Sequence, residues 1–120
     1  MKWQKAPNEL VEFFHSIEPH GPGIVQSSMF GYPCDFLNGN MFLGVYQDKI
    51  VLRLSEKDRK TFLELRNASV FEPLPGRIMK EYVVIPSDML KRTATLKTWI
   101  SKSIDYVSTL PIKTKNKKKK

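Results

Sequence analysis

His15, Glu18, His20, Cys34 and Asp35 are the residues of this chain whose types fit metal or nucleophile chemistry and which lie close enough in sequence to be weighed together. Imidazole, thiolate and carboxylate are the usual zinc ligands, and paired ligands share one helix face or flank a tight turn. Pro19 separates the two histidines, so one helix face cannot present both. Cys34 has no cysteine or histidine partner at finger-like spacing. His20 with Ser27 or Ser28 and Asp35 has the composition of a hydrolytic triad, but the strained Gly-x-Ser-x-Gly turn that exposes a nucleophilic serine is missing. Gly21-Pro22-Gly23 lacks both the Gly-Lys-Ser/Thr ending of a phosphate loop and the spacing of a dinucleotide-binding turn, and reads as a rigid connector. The expectation is a chain that is not an enzyme and holds neither metal nor cofactor.

Charge points the same way. The net charge is +8 over 120 residues, but Lys113, Lys115, Lys117, Lys118, Lys119 and Lys120 supply six of the 20 positive charges. The remaining residues carry 14 positive against 12 negative charges, a net +2. A basic groove on the folded part is therefore not implied, and any nucleic-acid contact is expected to be sequence-independent and to come from those six lysines. Residues 1–110 are expected to form one domain and 111–120 a disordered lysine-rich tail, since like charges repel and have nothing apolar to bury. No apolar run approaches a membrane span, and the start of the chain is not a signal-peptide core, so the protein is expected in the cytoplasm. Cys34 is the one cysteine, which excludes an internal disulfide.

The elements that must position any site can be read from spacing. Leu10, Val11, Phe13, Phe14 and Ile17 follow Pro7 on one helical face. Val25 to Phe30 and Cys34 to Leu37 read as strands around a turn at Gly31-Tyr32-Pro33. Asn38-Gly39 predicts a two-residue type I′ hairpin into Asn40 to Val45, and Ile50 to Leu54 follows as the next strand. Ser55 predicts the N-cap of a helix running to about Arg66 that buries Phe62 and Leu65. Pro73, Pro75 and Gly76 read as a break, with a short strand near Val70-Phe71 before it and another from Glu81 to Ile85 after it. Ser87-Asp88 predicts the cap of a last helix whose buried face carries Met89, Leu96, Trp99, Ile100, Ser103, Ile104 and Val107. Most aromatic residues sit inside these apolar patterns and read as core. Trp3 and Tyr32 do not, and are candidates for exposed anchors. Hairpin-linked strands between helices predict α+β, with helices mainly on one face of an antiparallel sheet.

Met29-Phe30-Gly31 followed by Phe36-Leu37-Asn38-Gly39-Asn40-Met41-Phe42 resembles the opening of the TfoX (Sxy) N-terminal domain family. Phe71-Glu72-Pro73, Gly76, Met79, Tyr82 and Pro86 agree with that family's later marks. The resemblance spans about residues 8 to 108 and implies an α-β(3)-α-β(2)-α fold like that of secretion chaperones, in a stand-alone member. It also implies a regulatory role in the transcription of competence genes, and offers no catalytic residues. On this basis the chain is expected to be a non-enzymatic interaction module that uses a face or edge of its sheet to hold a protein partner, with a homodimer as one arrangement. The alternatives are a nucleic-acid-associated protein relying on its lysine tail and, behind it, an enzyme or small-molecule binder.

Overall fold

The computed structural model describes residues 7–112 except Phe30 and Arg66. The elements run α1 (Asn8–Ile17), β1 (Ile24–Met29), β2 (Tyr32–Leu37), β3 (Asn40–Tyr46), β4 (Lys49–Arg53), α2 (Glu56–Leu63), β5 (Ser69–Leu74), β6 (Arg77–Val84), a 3₁₀ turn at Met89–Lys91 and α3 (Thr93–Val107). Among the described residues the strands form one antiparallel sheet in the order β1-β2-β3-β4-β6-β5. This is the expected α+β architecture, with the four strands before α2 that the spacing predicts where the family resemblance implies three. The six tail lysines, Trp3 and Phe30 lie outside the described residues.

Local chemistry explains the joints. Asn38 and Gly39 have φ of 52° and 86°, the two positive values a type I′ turn requires, and asparagine and glycine reach them at least cost. Ser55 caps α2 by accepting from Asp58 N–H at 3.2 Å.

Four turn and helix expectations are corrected. Tyr32 and Pro33 belong to β2, not to a turn. The β2–β3 pairing begins only at Cys34, so the N–H that Pro33 lacks breaks no bond there. Pro73 lies inside β5, which is tolerated because β5 is an edge strand and its register shifts between Phe71 and Leu74. The last helix is not capped by Ser87-Asp88. A 3₁₀ turn comes first, and Arg92 leaves helical angles at φ −115° and ψ 79° before Thr93. Thr93 and Thr95 are β-branched residues of modest helix propensity, and Asp88 instead approaches Arg92 at 3.6 Å. Leu65 is not core either: α2 ends at Leu63, and Leu65 is 37% exposed in the connection beyond it.

Alternation sorts the strand side chains onto two faces. One face is covered, with α3 against β3 and β4 and α2 against β6, and α1 adds Phe14 and Ile17. Phe42 and Leu43 both reach this core although they are adjacent. The β2–β3 register shifts between Asp35 and Phe36, and such a bulge inserts one extra β3 residue. Ile50, Leu52, Leu54 and Val83 join them fully buried, and the Phe62 ring meets Trp99 edge-on at 5.0 Å. Each such side chain contributes about 1.5–3 kcal/mol by leaving water.

Candidate functional site

The other face of the sheet lies beneath no described helix. Register assigns to it Met29 and Tyr32, which pair, then Cys34, Gly44 and Val51, which pair in series, and Tyr46 two residues beyond Gly44. Phe71 and Met79 pair on the far side. A flat sheet would set β3 and β5 three strand spacings apart, about 14 Å, beyond the reach of one side chain. Yet the Tyr46 hydroxyl donates to Pro73 C=O at 3.4 Å and its ring meets Phe71 at 5.2 Å. Tyr82 on β6 likewise reaches across β4 to donate to Met41 C=O at 2.9 Å. The sheet therefore curls over this face and makes it concave.

A cavity of about 120 Å³ lies in the hollow, lined wholly by strand residues. Tyr32, Tyr46 and Phe71 form an aromatic wall, with the two tyrosine rings 5.5 Å apart. Met29, Met41 and Met79 line it as well, Met29 and Met79 with 39% and 38% of their surface exposed. Gly44 keeps the floor low, since a Cβ there would come within 3.2 Å of Cys34 Cβ. The lining is almost entirely apolar, which suits an apolar side chain better than a charged substrate.

The residues first considered for chemistry divide between the two faces. Cys34 is 2% exposed under the groove. Burial, with the Asp35 and Glu18 carboxyls adding repulsion, pushes its thiol up to about 11, so it stays protonated and a poor nucleophile at neutral pH. Asp35 faces the helices, fully buried, and neither of its carboxylate oxygens has a hydrogen-bond partner. Burial first, and the Glu18 carboxyl second, push its pKa up to about 8. As two carboxylates this pair has no donor; a proton on Asp35 supplies one and removes the repulsion. His15 Nδ1 lies 2.9 Å from Glu18 Oε1, whereas His20 is engaged by Gln26 at 3.2 Å. Glu18 also borders a cleft of about 310 Å³ between the end of α1 and α3, beside Lys97. Among the described residues no group of three or more acids, cysteines and histidines is arranged to hold a metal.

The quoted motif residues separate into turns, core and groove. Gly31, Gly39 and Gly76 occupy turns at positive φ. Phe42 and Pro86 are buried. Met29, Met41, Phe71 and Pro73 line the groove, and Tyr82 braces its β3 side. Tyr32, expected as an exposed anchor, is 3% exposed and forms part of the groove wall. Tyr46, Val51 and Gly44 were missed by sequence reasoning. Alternation along β3 and β4 places them on one face, but only the curl shows that the face is hollow.

A family model described as TfoX N-terminal domain matches residues 16–107. No curated protein matches the chain.

Proposed function

Given that this chain belongs to the TfoX N-terminal domain family, we propose that it is a non-catalytic regulatory module that holds an apolar segment of a protein partner in the concave face of its sheet. The observation that carries this reading is the groove: apolar, formed only by strands, and rimmed by half-exposed methionines. Methionine is unbranched and polarizable and adapts to irregular apolar partners, so such surfaces serve binding better than chemistry. Cys34 lines the groove as a buried, protonated thiol and so makes a poor nucleophile there. The partner is a protein of transcription control, as the family's regulatory role suggests, and the module works in the cytoplasm.

The test is cross-linking in native lysate with the intact chain, with Met79→Glu at the groove rim, and with Lys97→Glu on the helix side as control. A recurring partner lost with the first substitution and kept with the second supports the reading. A recurring partner indifferent to Met79→Glu, or turnover of a metabolite by the purified chain, overturns it.

A further inference from the structure

The two edges of the sheet are built differently. β5 carries Pro73 and two register breaks against β6, features that blunt an edge against pairing with another chain. β1 pairs all six of its residues with β2 in unbroken register. It has no proline and no charged side chain, and Val25 to Met29 are all exposed.

The main-chain groups that β1 turns outward follow from one bond. Asn38 N–H donates to Gly23 C=O at 2.9 Å, which makes Gly23 a hydrogen-bonded position opposite β2. Such positions alternate in an antiparallel pair, so Val25, Ser27 and Met29 bond to β2, and Ile24, Gln26 and Ser28 point away from it. The Ile24 N–H is already taken by Gly21 C=O at 3.1 Å. Gln26 and Ser28 are left with outward donors and acceptors, and no strand lies beyond β1 among the described residues.

We propose that β1 pairs with β1 of a second copy of this chain, antiparallel about a two-fold axis that passes through Ser27 and stands perpendicular to the sheet. In that register Gln26 meets Ser28 of the second copy, and the reverse, each pair exchanging both of its main-chain bonds. Val25 then meets Met29 of the second copy in the non-hydrogen-bonded pairs, where side chains approach most closely. These are the two large apolar side chains that β1 leaves open, at 55% and 39% exposure. The register centred on Gln26 fails on two counts: it needs the Ile24 N–H, which is committed, and it sets Val25 against Ser27. A second copy is the fitting partner because the strand is complementary to itself about Ser27 and carries no charge to repel its image. The groove side and the helix side of each copy then stay aligned across one continuous sheet.

Sedimentation and a disulfide trap test this. The full chain should sediment as a dimer. Ser28→Pro removes an outward N–H and spares the ladder to β2, and it should halve the mass while the far-ultraviolet circular dichroism is retained. Ser27→Cys should form a covalent dimer on mild oxidation, because its twin lies directly opposite within disulfide reach. That variant is made with Cys34→Ala, since Cys34 pairs with Ser27 across β1 and β2. Gln26→Cys in the same background should not cross-link. A monomeric full chain at high concentration, a Ser28→Pro variant that stays folded and dimeric, or equal cross-linking of the two cysteine variants would overturn the proposal. Were Ser28→Pro to misfold, the cysteine pair alone would decide.

Discussion

On the covered face of the sheet Phe42, Leu43, Ile50 and Leu52 are wholly buried beneath helices, whereas on the concave face Met29 and Met79 keep more than a third of their surface in water. Both faces are apolar, and what differs is the kind of side chain and what closes over it. The covered face uses branched and aromatic residues with few rotamers, which lock against the helices at crystal-like density. Among the described residues the concave face is closed only by its own curl and by the Tyr32–Tyr46–Phe71 wall, and its rim carries Met29 and Met79. Apolar content alone therefore does not mark a core, because a surface can be apolar, shaped and still open to a partner.

Substitution of neighbours on opposite faces gives the sharpest test. Phe42→Ala should cost about 3–5 kcal/mol through lost burial and the cavity left behind, seen as a large drop in the denaturant midpoint. Met41→Ala, next in the chain but facing the groove, should cost clearly less, and an equal cost would break the comparison. Asp35→Asn probes the carboxyl sealed beneath the helices beside Glu18. Its folded pKa lies above the value of 3.8 for a free group, so the folded state holds a proton that the unfolded chain has released. The stabilising contribution is full below pH about 4 and is lost as pH rises toward about 8. Melting temperature measured across that range should fall in the parent, and Asp35→Asn should flatten the decline. A slope that survives would assign it to another group. Tyr82→Phe removes the bond that braces β6 against Met41 C=O and should cost about 1 kcal/mol in the same unfolding assay. Met79→Glu should leave stability within about 0.5 kcal/mol of the parent, as for surface changes generally. A larger loss would make the groove a second core.

The legible parts of the fold are those whose cause is local. Asn38-Gly39 needs only its own backbone preferences to turn the chain, and Ser55 only its hydroxyl and the N–H three residues on. The residues of the resemblance were readable too, yet their roles were not. Gly31 and Gly76 turn the chain, Phe42 fills the core and Met41 lines the groove, although all belong to one pattern. Tyr32 was misread because Pro33 beside it suggested a turn. Whether a proline interrupts a strand depends on where the neighbouring ladder begins, and that is a property of β3.

Sequence alone determined the order of helices and hairpin-linked strands, the hairpin at Asn38-Gly39, the apolar face of the last helix from Leu96 to Val107, and the concentration of charge in the final lysines. Each follows from spacing or from a single residue's chemistry. Only the tertiary structure decided which face of the sheet and which edge the described helices and strands leave uncovered. Phe42-Leu43-Gly44-Val45 is one continuous apolar run, and alternation within it offers two apolar faces without saying which one the helices will cover. The bulge opposite Asp35 and Phe36 turned Phe42 and Leu43 together toward the helices. The reach of Tyr46 to Pro73 across three strand spacings hollowed the other side. Both depend on contacts between strands distant in sequence, where no local preference operates.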